Sequence, residues 1–239
     1  MTMKIEKLKI KIFFDGANEN DMLEMNNKAF IKGLTTNPSL MKKAGVINYK
    51  SFAKKILANI KNKPISFEIF SDELNEMEKQ AYEINSWGKN VYVKIPISNT
   101  KNVSTASLLK KLSIKKVKLN VTAIMTVDQV EEIMKVLKKD VPSIISVFAG
   151  RIADTGRDPT PIMKSCLIKM KNNPSSELLW ASTRESLNIF QANDIGCHII
   201  TVPINILNKV NLIDYDLSDY SLDTVKSFYQ DALKAKFKI

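Results

Sequence analysis

Apolar runs rich in β-branched and aromatic residues recur along the chain at 10–14, 30–35, 65–70, 91–95, 117–121, 144–148, 178–181 and 198–202. Runs this apolar predict strands buried on both faces, as in a parallel sheet. Between them the apolar positions fall at three-to-four spacing, over 51–61, 74–85, 127–138, 161–171 and 184–192, which predicts helices with one apolar face. Eight strand-then-helix units in 239 residues suit an α/β fold of one kind, a single (β/α)8 TIM barrel, whereas a doubly wound sheet commonly has about five or six strands. The chain reads as one domain over 1–239, with the barrel at about 10–210 and a C-terminal helical tail at about 218–237. Ser221 and Asp223 are both possible caps for that last helix. Its destination is either its own barrel or a neighbour in a homo-oligomer.

Composition narrows the chemistry. Hydrophobic residues make up 44% of the chain, ample for a core. No apolar run reaches the ~18–20 residues that cross a bilayer, and Met1-Thr-Met-Lys-Ile-Glu6 lacks the apolar middle of a signal peptide, so the expected location is cytoplasmic, away from membranes. Two cysteines, Cys166 and Cys197, make no disulfide framework. One histidine, His198, supplies neither a histidine metal cluster nor a Ser-His-Asp triad. The net charge of +11 permits nucleic acid or anionic substrates as partners, but the lysines are spread, as in Lys54-Lys55 and Lys138-Lys139, in the manner of solvated helix faces. No recognition-helix, RNA-binding or arginine-rich signature accompanies the charge, so no nucleic-acid partner is expected.

The run Val91-Tyr-Val-Lys-Ile-Pro-Ile97 carries a lysine in the middle of apolar residues. An ammonium is costly there unless it titrates or finds a partner. Burial favours the neutral amine, which attacks a carbonyl to form a Schiff base; alternatively Lys94 snorkels to water or pairs with a carboxylate. In barrels of this type the active site lies at the C-terminal ends of the strands. Those ends carry Asp15, then Thr35-Thr36-Asn37-Pro38-Ser39, Glu68, Lys94, Asn120 with Thr122, Ser146 with Arg151, Ser182 with Arg184, and Thr201. Taken singly, Asp15 and Asn37 also read as helix caps, Glu68 as a solvent-facing acid and Thr122 as a strand former. Taken together, an acid beside a buried-type lysine at equivalent ends of successive strands reads as a catalytic site.

Phe13-Phe-Asp-Gly-Ala-Asn18, Gly33-Leu-Thr-Thr-Asn-Pro-Ser-Leu40, Val93-Lys-Ile-Pro96, Leu119-Asn-Val-Thr122, Val147-Phe-Ala-Gly-Arg-Ile152 and Ala181-Ser-Thr-Arg184 resemble, in order, the motifs of the transaldolase family. The resemblance runs from about Ile12 to Leu207. It implies a Schiff-base barrel without metal or organic cofactor that moves a dihydroxyacetone unit between sugar phosphates. Lys94 then matches the Schiff-base lysine, Asp15 the acid/base at the substrate hydroxyl, Glu68 the carboxylate acting through a water, and Thr122 the holder of that water. Asn37 and Asn120 match substrate-hydroxyl contacts, with Thr36, Ser146 and Phe148 completing the expected substrate-binding set, and Arg151, Ser182 and Arg184 match the phosphate-binding group. For the two arginines the alternative is salt bridging to loop acids such as Asp154 or Asp158.

Some smaller relatives resemble fructose-6-phosphate aldolase, releasing free dihydroxyacetone, and have glutamine and tyrosine where this chain has Glu68 and Phe148. Those two positions favour transfer over release. The segment 153–160, Trp180 and Thr183 depart from the expected pattern, which leaves open a specialised acceptor, as in surface-carbohydrate synthesis. From a different class, a non-catalytic barrel serving as scaffold is disfavoured because Asp15, Glu68, Lys94, Asn120 and Thr122 are all present.

Overall fold

The computed structural model describes residue 5, residues 7–236 and residue 238. Its strands are β1 (Lys11–Asp15), β2 (Ile31–Thr35), β3 (Ile65–Glu68), β4 (Val91–Pro96), β5 (Leu119–Ile124), β6 (Ser143–Val147), β7 (Ser176–Trp180) and β8 (Ile199–Pro203). They pair in parallel and in sequence order, and β8 returns to β1, so the sheet closes into a barrel. The helices in chain order are α1 (Glu19–Asn26), α2 (Pro38–Lys43), α3 (Tyr49–Asn59), α4 (Leu74–Asn85), α5 (Ala106–Ile114), α6 (Val127–Val136), α7 (Ala149–Asp154), α8 (Thr160–Met170), α9 (Leu187–Asp194), α10 (Ile204–Leu207) and α11 (Leu217–Ala235). The (β/α)8 barrel expected from the alternating pattern is what the chain forms.

Alternation along each strand separates two cores. Outward residues such as Ile12, Phe14, Val93, Val121, Ile145, Trp180 and Val202 pack against the helices in one continuous cluster. Inward residues Phe13, Ile144, Leu179 and Ile199 form a second, smaller cluster inside the barrel. The inner face becomes polar toward the C-terminal ends of the strands, where Asp15, Thr35, Glu68, Lys94, Thr122, Ser146 and Thr201 line a cavity of about 560 Å³. The outward residues are apolar because the helix layer covers them, and the site takes the inward positions near the C-terminal ends of the strands.

Local signals set most boundaries. Asn18, Asn37, Asn48 and Thr126 each accept a backbone N–H at the start of a helix, and Thr126 with Gln129 completes a capping box. The fifth strand runs later than 117–121 because it carries an extra residue: Val121 pairs with Ile145 but Ile124 with Val147. Ala123 absorbs that bulge at φ +61°. Helices α1, α2, α5, α7 and α10 lie outside the five segments that the spacing predicts. The last helix is capped by Asp216, which accepts from Ser218 and Asp219 N–H, so Ser221 and Asp223 lie inside it. None of its residues is buried, so it does not cover its own barrel.

Ile145 is fully buried in the outer core. Ile145→Ala is expected to cost about 2–5 kcal/mol, the usual range for such a truncation, read as a lower urea midpoint at unchanged m-value.

Candidate active site

Strand pairing puts three of the expected residues in one row, because Glu68 on β3 pairs with Lys94 on β4, which pairs with Asn120 on β5. Lys94 is 6% exposed. Its Nζ lies 3.0 Å from Glu68 Oε2 and donates to the Thr36 carbonyl at 3.3 Å. Of the two sequence readings of a strand lysine, pairing with a carboxylate is therefore satisfied, and it is satisfied inside the cavity. Thr36 contributes its backbone; its hydroxyl is buried and has no protein partner, as is that of Thr122. Buried hydroxyls of this kind favour a water or a substrate oxygen beside them.

Asp15 ends β1, where it accepts a hydrogen bond from Thr35 Oγ1 at 2.7 Å. Thr35 Oγ1 also contacts Thr201 Oγ1 closely, so the carboxylate is braced from β2 and β8. Burial pushes the Asp15 carboxyl above its ordinary range, against the opposing pull of Lys94 and the Thr35 hydrogen bond, with Glu68 adding a small push upward. Nothing in the sequence singled out Thr35 as the partner that orients Asp15; the signal was its place before the Thr-Asn-Pro-Ser block.

Asn37 lines the cavity, but its Oδ1 also caps α2 by accepting from Leu40 N–H at 2.9 Å, so the cap reading and the site reading both hold for it. Ser146 lines the cavity and donates to Asn120 Oδ1 at 2.7 Å, while Asn120 Nδ2 donates to Ser66 Oγ at 2.9 Å. Asn120 is fully buried. With both ends of its amide engaged it ties β3, β5 and β6 together beneath the cavity.

Toward β6 and β7 the wall is built by Phe148, Arg151 and Ser182. The Arg151 guanidinium lies 5.5 Å from the Phe148 ring centroid and has no carboxylate ion-pair partner among the described residues. Ser182 adopts φ +66°, and Gly150 packs so tightly beneath it that a Cβ there would fall 1.6 Å from the Ser182 carbonyl oxygen. Glycine is required by that approach. Arg184 departs from the expected phosphate group: its Nε donates to Asp154 Oδ1 at 2.9 Å and NH2 binds Oδ2, which holds the side chain on α7 outside the cavity wall. Lys43 and Ser39 join the wall from the β2 side. Among the described residues no group of three or more His, Cys, Asp or Glu could hold a metal ion, and no helix is long and apolar enough to cross a membrane.

The Asp15 shift has a sign in stability. Its carboxyl holds a proton more tightly folded than unfolded, so stability falls as pH rises from about 4, the unfolded carboxyl value, through the raised folded one. Asp15→Asn removes that loss. Its urea midpoint is expected to exceed that of the parent at pH 7 and to converge with it below about pH 4.

A family model described as Transaldolase/Fructose-6-phosphate aldolase matches residues 12–239. A probable transaldolase of Clostridium kluyveri is 33% identical over 215 residues, covering 90% of this chain and 94% of the relative. One from Thermoanaerobacter sp. (strain X514) is 31% identical over 233 residues, covering 96% and 100%. Among solved structures, a putative dihydrodipicolinate synthase family protein from Coccidioides immitis superposes with a TM-score of 0.54 at 10% identity over 80% of this chain, which spans 66% of that protein's length. At that identity the likeness is one of barrel fold alone. The family match covers nearly the whole chain and the relatives align with nine-tenths or more of it, and on that ground the chain belongs to the transaldolase/fructose-6-phosphate aldolase family.

Proposed function

We propose that this chain is a transaldolase that carries a dihydroxyacetone unit on Lys94 from a ketose phosphate, such as fructose 6-phosphate or sedoheptulose 7-phosphate, to an aldose phosphate. The observation that carries this reading is a lysine 6% exposed, 3.0 Å from Glu68, in a cavity it shares with Asp15 and Arg151. Moving one proton from Nζ to Glu68 Oε2 converts the ion pair into a neutral amine beside a carboxylic acid. Those are the two forms the first step needs.

The amine attacks the ketose carbonyl, and the proton parked on Glu68 goes to the new oxygen. Loss of that oxygen as water takes a second proton by the same route, with the Thr122 hydroxyl beside it to hold a relaying water. The protonated imine then accepts the electron pair of the carbon–carbon bond as Asp15 takes the proton of the adjacent hydroxyl. Burial makes Asp15 a readier base for that proton. The aldose phosphate leaves, and an enamine stays on Lys94 until the second aldehyde arrives and the steps reverse. Asn37 and Ser146 suit the substrate hydroxyls, while Arg151 and Ser182 suit the phosphate, because a guanidinium fork and a hydroxyl bind its oxygens directionally. Nothing in these steps calls for a metal or an organic cofactor, and the proposed sugar phosphate substrates are in keeping with a cytoplasmic enzyme.

The same reading includes a homo-oligomer. Helix α11 buries none of its 19 residues, yet Leu217, Tyr220, Leu222, Val225, Phe228, Tyr229 and Leu233 are all exposed on it. An apolar face of that extent wants a partner, and a second copy offers Ile47 and Phe70, exposed beside a groove at the barrel rim.

Three measurements test these statements. Borohydride reduction with fructose 6-phosphate is expected to leave a three- or six-carbon adduct, mapped to Lys94, and Lys94→Ala to abolish both adduct and turnover while the fold persists; turnover surviving in that variant would sink the Schiff base. Adding an aldose phosphate acceptor to the parent protein should yield a new ketose phosphate, whereas release of free dihydroxyacetone alone would mark an aldolase. Native mass spectrometry is expected to show an oligomer that Val225→Asp with Phe228→Asp converts to monomers.

A further inference from the structure

Strand β3 is only four residues long, and its pairing with β2 consists of Leu34 opposite Ile65 and Thr35 opposite Ser66. The donors along this seam are Leu34 N–H to Pro64 O at 2.9 Å and Thr36 N–H to Ser66 O at 3.3 Å. Parallel ladders repeat every second residue, so the next donor, to the Glu68 carbonyl, would be residue 38. That residue is Pro38, which has no N–H and already begins α2. On the other side of β3, toward β4, the seam continues through Ile69 N–H to Lys94 O at 3.0 Å. The Glu68 carbonyl therefore sits where β2 has turned away, with no backbone donor to meet it among the described residues.

Tyr49 fills that position. From the first turn of α3 its hydroxyl donates to Glu68 O at 2.8 Å. The ring is fixed edge-on by Phe67 at 6.2 Å and Trp87 at 5.4 Å between centroids, and tilted against Phe70 at 5.8 Å. Burial, together with the nearby Glu68 charge, raises the phenol far above its ordinary value, so it stays a donor. The contact is made in a setting where an unpaired carbonyl is costly.

We propose that Tyr49 is a positioning residue for Glu68. Its hydroxyl replaces the missing ladder donor and thereby holds the end of β3 in the register that keeps the carboxylate on Lys94. The inference rests on the reading above, in which Glu68 moves protons at Lys94. It assigns Tyr49 no contact with substrate.

The variant is Tyr49→Phe in the full chain, which keeps every ring contact and removes one oxygen. The readout is the rate at which borohydride traps the fructose 6-phosphate adduct on Lys94, set beside KM. Misplacing a proton-transfer group forfeits part of a contribution of about 10²–10⁴. We expect trapping to slow about tenfold, with KM changed less than about twofold, and Tyr49→Phe to slow it no further in a Glu68→Ala background. Equal slowing in both backgrounds overturns the proposal, because the hydroxyl would then serve the barrel at large, and so does an unchanged rate in the Tyr49→Phe single variant. Absence of any Lys94 adduct in the parent protein is a different failure: it removes the Schiff-base reading and this inference with it.

Discussion

An ammonium inside a barrel is tolerable only if something answers its charge. Lys94 is answered by Glu68, one strand over in the same row, and by the Thr36 carbonyl. Desolvating the two groups costs several kcal/mol each, which the attraction between them repays only with good geometry. Such a pair contributes little to stability and much to readiness, because one proton shift makes it amine and acid. Much of the surrounding architecture follows from keeping those two side chains 3.0 Å apart. The strand register aligns them, the Asn120 amide ties the strands beneath them, and Tyr49 meets the carbonyl that β2 leaves behind.

The barrel solves a conflict between two demands on one strand. Its outer face must be apolar to bury the helices, while its inner face must carry acids, amides and hydroxyls. Alternation satisfies both, with Val93 and Ile95 outward beside Lys94 inward, and Ile145 and Val147 outward beside Ser146. At two places the regular backbone does not suffice. The bulge at Ala123 interrupts the β5 ladder next to Thr122, and the left-handed turn at Ser182, seated on Gly150, shapes the β6–β7 side of the cavity. Non-glycine residues at positive φ hold about 1–3 kcal/mol of strain each, and both stand at the cavity wall.

The surface charge has a plainer account. Lysines pair with acids across neighbouring helices, as Lys50 with Glu83 and Lys55 with Glu19, in exposed contacts worth little each. Against that background Arg151 stands out because it faces the cavity without a carboxylate ion-pair partner among the described residues. Arg184 pairs with Asp154 in an exposed contact, the loop-acid partner that the sequence offered beside the phosphate reading.

The alternation of eight apolar runs with helically spaced segments marked the barrel. Runs of outward apolar residues are written into the chain because each strand must meet its own helix, and that requirement is local. The sequence also marked the residues that line the cavity from fixed strand ends, Asp15, Glu68, Lys94, Thr122 and Ser146 among them, since alternation places them without reference to distant contacts. What only the tertiary structure decided depends on partners far apart in sequence. Where the Arg184 guanidinium sits depends on Asp154, 30 residues away, and how the Asn120 amide is turned depends on Ser66 and Ser146. Tyr49 carried no signal at all, because its value lies in a donor that Pro38 cannot supply to a carbonyl 19 residues further on than the tyrosine itself. Which donor meets which acceptor is decided in three dimensions, because the partners lie far apart along the chain.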